Sequence, residues 1–588
     1  MAKQATQKIR AQAVPVLVPK WRFYVTAVVL LGLVAALASH LIRLQILPGE
    51  ERGFEFLQSQ GAARTLRSEP VLGYRGAITD RNGEPLAVST PLLSIEVNPK
   101  ILYQHPETWA DLATASDYSY SELKSKLERY KDKLYMSLRP RLPPDEAQKI
   151  LDIKIPGVYS QQEFLRFYPS AEISAHLVGF TDFDDHGLEG LELAYDNHLS
   201  GESGWRHVEK DLKQQVIREV GLIKPASAGK ELQLSIDLRL QYFAYKELKA
   251  AVIENNARSG SAIVLDSKTG EVLALVNQPS FNPNDRSEVE SDEIRNRALV
   301  DPFEPGSTMK PFSIMAAMEK GVVNINSVID TSPGYLHVGG KTFLDPVNYG
   351  IMDLTKIITK SSQVGTTKIA LKTGPQPIRD MYYRVGLGQS PGTGFPGETL
   401  GQLPQYDRWP KVTIANYGFG YGFTASVLQL AQAYNVIAND GIKKPVSLLK
   451  IQEEPVGERV ISEKIARDMK AMLATVTKKG GTGSRAELEN YLTAGKSGTA
   501  HLIGKNGYDD DRYRALFAGF APLDDPRVVV ITVISEPKSG KYFGGEVAAP
   551  VFGKITEAAL RILDVPPSKS AQLHARSENR SDKGGFSS

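Results

Sequence analysis

Cysteine is absent from the chain. No disulfide framework, thiolate nucleophile or thiolate-held zinc or iron–sulfur centre is open to it. A cysteine-free chain also suits an oxidising compartment reached by secretion. Histidine is scarce: nine are scattered among 588 residues with no HExxH pair, which excludes the common zinc hydrolases. A P-loop signature is missing too. No metal site and no cofactor is expected. Neither sign of charge dominates, since 70 Lys and Arg against 67 Asp and Glu leave +3, too little to imply nucleic acid. Only one long stretch lacks charge, which excludes a polytopic transporter. The remainder, 23% charged and 41% hydrophobic, is ordinary globular composition and excludes a wholly disordered chain. At about 150 residues per domain, the length implies several units.

The uncharged stretch runs from Phe23 to Ser39, and His40, Leu41 and Ile42 extend it to Arg43. Twenty residues at 1.5 Å rise span about 30 Å, the thickness of a bilayer core. Lys3, Lys8, Arg10, Lys20 and Arg22 precede it without an acid, and the first acid after it is Glu50. The positive-inside rule places residues 1–22 in the cytoplasm, 23–42 across the membrane and the bulk outside. Ala36-Leu37-Ala38 resembles a signal-peptide cleavage site, but apolar residues continue past it to Leu47, so an uncleaved anchor is the reading adopted.

Residues 43–235 read as a mixed spacer or pedestal. Arg75 to Val88 is a strand–turn–strand with Asn82-Gly83 at the turn, and Ser121–Leu134, Pro144–Ile153 and Gly187–Asn197 have helical patterns. From residue 236 the texture changes. A helix over Leu238–Asn255 leads to strands at Ser261–Asp266 and Glu271–Val276. A helix-rich middle follows, then late strands at Ala515–Phe520 and Val528–Ser535, and a helix over Val551–Leu563. Helices between early and late strands imply an α+β domain of α/β type over 236–565, a mixed sheet flanked by helices. The polar tail 566–588 is expected to be disordered.

Ser307-Thr308-Met309-Lys310 follows Glu304-Pro305-Gly306, a turn into a helix that ends at Lys320-Gly321. Ser307 then lies at a helix start, where free N–H groups favour an oxyanion. Lys310 stands one turn on. Its amine can take the serine proton if burial or another cation keeps it neutral. Ser121 with Lys124 and Ser535 with Lys538 share the spacing but lack the turn-then-helix setting. Lys-[Ser/Thr]-Gly occurs at 268, 372, 496 and 538; only Lys496-Ser497-Gly498-Thr499 stands in a small-residue, strand-like segment. There Ser497 and Thr499 share a face and Lys496 takes the other, and the glycines leave room for a substrate backbone. Two hydroxyls and a cation can hold a carboxylate. Between these segments, Ser361 and Gln363 of Ser361-Ser362-Gln363 converge only on a turn.

The ordered set Ser-x-x-Lys, Ser-x-Gln and Lys-Ser-Gly resembles the penicillin-binding transpeptidases. The basic tail with a single anchor, Arg75-Gly76-x-Ile78-x-Asp80-Arg81-x-Gly83, Phe303 to Pro311, Gly418-Phe419-Gly420-Tyr421-Gly422 and Lys541-Tyr542-Phe543-Gly544-Gly545 resemble the class B, cell-division type, from about Trp21 to Leu563. The resemblance implies a peptidoglycan D,D-transpeptidase in the inner membrane at the septum, on a dimerisation-like pedestal. Ser307 would be the nucleophile, Lys310 the base and Ser361 a proton relay. Gln363, Lys496, Ser497 and Thr499 would bind substrate, with the backbone N–H groups of Ser307 and Thr499 as oxyanion hole. The implied ligands are D-Ala-D-Ala stem pentapeptides and β-lactams. The implied partners are an FtsW glycosyltransferase and other division proteins. The family carries Asn where this chain has Gln363. Three other readings stay open: an elongation-type transpeptidase, a penicillinase or penicillin receptor, and a division scaffold impaired by Gln363.

Overall fold

The computed structural model describes residues 19–46, 54–210, 216–504 and 507–568. Most of residues 1–22, expected in the cytoplasm, and of the tail 566–588, expected to be disordered, lie outside these. A helix over Lys20–Gln45 contains the whole uncharged stretch, with a mean hydropathy of 2.4 in its most apolar window and no buried residue. It is long and apolar enough to cross a membrane once.

The pedestal contains two sheets of three or more strands. Leu66–Val71, Gly204–Lys210 and Val216–Lys224 form an antiparallel three-stranded sheet. A second sheet is built on the long strand Pro85–Val97, which pairs with Ile78–Thr79, Met136–Leu142 and Val158–Phe167. The turn before it differs from a two-residue hairpin: among its residues only Gly83 has positive φ, and the Asp80 carboxylate receives the N–H groups of Asn82 and Glu84. The expected helices form over Tyr120–Tyr130 and Pro144–Leu151, whereas Gly187–Glu189 is a short strand preceding the helix Gly190–Ala194.

The pedestal also holds a buried ion network. Arg75 Nε meets Glu192 at 2.6 Å, Arg166 Nε meets the other oxygen at 2.7 Å, and Arg75 also reaches Asp196 at 2.7 Å. One buried carboxylate between two guanidiniums is a structural clamp, because removing either partner leaves a charge uncompensated.

The catalytic sheet has the order Val272–Gln278, Ser259–Asp266, Val528–Ser535, Gly507–Ala521, Ala494–Gly504. Every neighbouring pair is antiparallel, so the sheet is not mixed; the α+β class stands. Side-chain alternation divides the core. Ala262, Val264, Phe517 and Val530 face the helices Leu238–Glu254 and Gly544–Ile562, while Ile263, Leu265, Leu516 and Ile531 face Val427–Ala438 and Glu463–Val476. The last helix begins seven residues earlier than the sequence suggested and carries Pro550 within it. Its first residue must be glycine. A Cβ on Gly544 would lie 2.1 Å from the Gly498 carbonyl oxygen and 2.3 Å from that of Leu516.

Candidate active site

Three segments meet at the free edge of this sheet. Gly306–Met309 is a single 3₁₀ turn opening the helix Lys310–Glu319, so Ser307 is half-buried at a helix entrance. Leu354–Lys360 and Gln363–Thr373 are consecutive helices, and Ser361 is the left-handed residue joining them, at φ +57°. This is the turn the sequence required. Ala494–Gly504 is the edge strand carrying Lys496 to Thr499.

The strand packs directly on the nucleophile's turn. A Cβ on Gly498 would stand 2.9 Å from the Thr308 side chain and 3.3 Å from the Pro305 oxygen. The sequence suggested that this glycine makes room for substrate. The structure spends that room on the Ser307 turn instead.

Two lysines converge on one hydroxyl. Lys310 Nζ donates to the Ser361 carbonyl at 2.5 Å and lies 3.2 Å from Ser361 Oγ. Lys496 Nζ lies 2.9 Å from the same Oγ and donates to the Ser497 carbonyl at 3.0 Å. Both lysines are buried. Burial pulls Lys310 down to about 7, opposed by the charge of Asp345. Burial and the facing Lys310 charge push Lys496 well below the usual ammonium range. This is the arrangement that keeps an amine neutral enough to accept a proton.

Thr499 has a backbone donor on the free edge of the sheet. In an antiparallel strand the N–H and C=O of one residue point to the same side. The Thr499 carbonyl accepts from Tyr421 OH at 3.5 Å, and the same phenol receives the His501 N–H at 3.3 Å, both off the free edge. The Thr499 N–H therefore points off that edge too. The side chains of Ser497 and Thr499 lie opposite Lys496, as alternation requires. Ser497 Oγ donates to Thr482 Oγ1 at 2.9 Å, and Thr499 Oγ1 accepts the Gly544 N–H at 3.0 Å. The competing lysine motifs lie elsewhere. Ser121 and Lys124 sit exposed on a pedestal helix, and Lys268, Lys372 and Lys538 lie at a turn, a helix end and a loop.

Residues 260–557 match the penicillin binding protein transpeptidase domain, and residues 70–234 match the penicillin-binding protein dimerisation domain. The chain is 39% identical over 547 residues to the probable peptidoglycan D,D-transpeptidase PbpC of Pseudomonas aeruginosa, spanning 93% of this chain and 96% of that one. It is also 39% identical over 571 residues to the peptidoglycan D,D-transpeptidase FtsI of Escherichia coli, spanning 96% of each. The chain belongs to the penicillin-binding protein transpeptidases. Penicillin binding protein 3 of Mycobacterium tuberculosis, solved with aztreonam, shares its fold with a TM-score of 0.65 at 29% identity, over 85% of this chain and 98% of that one. This transpeptidase is therefore a class B, serine-type peptidoglycan D,D-transpeptidase.

One functional residue escaped the sequence reading. Asp345 follows the strand Lys341–Leu344 and receives Ser362 Oγ at 2.6 Å, the Gln363 N–H at 2.6 Å and the Val364 N–H at 3.2 Å. It fixes the Ser361–Gln363 turn and is the anion nearest in effect to Lys310. No local signal marks it, because its partners lie a helix away.

Gln363 is placed at the first position of its helix, with Oε1 accepting the Leu344 N–H at 3.3 Å. The amide's two N–H donors have no partner among the described residues. Gln363→Ala should slow penicillin acylation by about 10²-fold, while Gln363→Asn should stay within about tenfold of the parent. Second-order acylation rates at matched thermal stability check both. An alanine variant as fast as the parent would remove the amide from the site. A large gain for the asparagine variant would mark the natural enzyme as impaired.

Proposed function

We propose that this transpeptidase cross-links septal peptidoglycan through an acyl-enzyme on Ser307 and is trapped there by β-lactams. What supports it most is the convergence of two buried amines on Ser361 beside the helix entrance that carries Ser307. Ser307 Oγ attacks the carbonyl of the penultimate D-Ala, and Lys310 takes its proton directly or through Ser361. The N–H groups of Ser307 and Thr499 receive the oxyanion. The terminal D-Ala leaves with the proton returned to its amine, and the amine of a neighbouring stem peptide then takes the acyl group. The Ser497 and Thr499 hydroxyls hold the terminal carboxylate on one face of the strand, Lys496 supplies its charge from the other, and Gln363 holds the peptide.

The electrostatics favour this division of labour once substrate arrives. In the free site the two lysines compete for one proton. A substrate carboxylate at Lys496 favours its charged form, and that charge leaves Lys310 neutral as base.

We assign residues 1–22 to the cytoplasm, 23–42 to the membrane, 43–235 to the pedestal, 236–565 to the catalytic domain and 566–588 to a tail. The bulk lies on the periplasmic side, with an FtsW glycosyltransferase and other division proteins as partners. Supplied with a D-Ala-D-Ala pentapeptide and an amine acceptor, the purified chain should release D-Ala and form the amide-linked product. Hydrolysis without cross-linking would make it a carboxypeptidase. A periplasm-competent fluorescent protein fused to the C-terminus should glow at mid-cell. A sidewall pattern would favour the elongation type. Protease added to spheroplasts should digest residues beyond about 43 and spare the first 22, and protection of the bulk would reverse the topology.

A further inference from the structure

A polar cavity lies in the catalytic domain, away from Lys310 and Lys496. It encloses about 220 Å³ between the sheet and the segment leading into the nucleophile's turn. Arg258, Arg295, Arg297, Arg512 and Arg514 line it, against the acids Asp292, Asp301 and Glu536. Its lining is thus positive by two charges.

The wall arginines are matched to these acids. Arg512 pairs with Glu536 through Nε at 3.0 Å and a terminal nitrogen at 2.9 Å, and Arg258 reaches the same carboxylate at 3.4 Å. Arg297 bridges Asp292 at 2.7 Å and Asp301 at 3.3 Å, and Arg295 also pairs with Asp301. Arg514 is different. Its Nε donates to Ser535 Oγ at 3.1 Å, and its guanidinium lies 5.0 Å from the Phe303 ring centroid. Among the described residues that is its only side-chain hydrogen bond, so four of its five guanidinium N–H donors are unused. Burial pulls it down to about 10, which leaves it charged at neutral pH. Strand alternation places the serines of Ser259, Ser261 and Ser535 on the same floor. Ser261 donates to Asn277, whereas Ser535 accepts from Arg514 and keeps its own proton to give.

We propose that this cavity binds a doubly charged oxyanion of the phosphate class, with Arg514 and the Ser535 hydroxyl as its central donors. A guanidinium with unused donors, flanked by further arginines and seryl hydroxyls, is suited to phosphate oxygens. The volume admits a small anion and not a larger ligand. The bound anion would join Leu502, three residues beyond Thr499, to Phe303, four before Ser307. The anion is either free phosphate or a phosphate monoester carried by a larger molecule.

Equilibrium dialysis of the detergent-solubilised full chain with radiolabelled inorganic phosphate, at constant ionic strength in chloride, tests the site. One saturable phosphate per chain is expected, weakened about tenfold or more in Arg514→Met. Arg258→Gln at the exposed rim should weaken it about threefold, and serves if Arg514→Met lacks a cooperative thermal transition. Glycerol 3-phosphate competing more tightly than phosphate would identify an esterified source, and weaker competition the free anion. No saturable binding by the parent, or parental affinity in the folded variants, overturns the proposal.

Discussion

Ser307→Ala should lower the rate of penicillin acylation by about 10⁵-fold or more, on the scale of removing a catalytic nucleophile. The argument is positional. Ser307 is half-buried at the entrance of the helix Lys310–Glu319, and no described residue hydrogen-bonds its hydroxyl, so it is free to meet a carbonyl. Ser361 is the rival hydroxyl. It lies between two amines, but its carbonyl and its Oγ are both engaged by Lys310, and its Oγ also by Lys496. Its alanine variant should lose about 10²-fold, the scale of a proton relay. Intact-mass kinetics with excess penicillin distinguishes the two. Equal losses in both variants would remove the distinction between nucleophile and relay.

Lys310→Met should slow acylation by about 10³-fold, the middle of the range for a general base. The pH profile carries the more specific prediction. Lys310 is held at about 7 by burial, so its neutral form grows as pH rises through that value. The parent's acylation rate should therefore climb with a midpoint near pH 7 and level off above it, and the methionine variant should lose that limb. The sign for stability follows from the same shift. An unfolded lysine stays protonated to its ordinary value of 10.5, so between about 7 and 10.5 the unfolded chain binds more protons. The penalty for burying this lysine is full below that window and shrinks as pH rises through it. A rate independent of pH across 7 would deny Lys310 the role of base.

Much of the fold was legible because it is local. Apolar runs marked Ser259–Asp266 and Val528–Ser535, and the Pro305-Gly306 turn marked where the helix of Lys310 begins. The three motifs gave the order of the site segments. Their meeting point was not legible. Ser361 and Lys496 are 135 residues apart and meet only because the sheet pairs strands from both ends of the domain. Asp345 has no motif of its own, since its partners are the Ser362 hydroxyl and two backbone N–H groups at a helix start. Gly498 was misread because its neighbour is the Thr308 side chain, which periodicity does not reveal. The helix Gly544–Ile562 started earlier than expected because two glycines and Pro550 read locally as a breaker, while tertiary packing demands small residues there.

The most direct test of the account is the identity of the acylated residue. The full chain should be labelled with penicillin, digested and mapped by peptide mass spectrometry. The account predicts a single penicilloyl adduct, on Ser307. An adduct on Ser361 would make the residue between the two amines the nucleophile and contradict the assignment of roles.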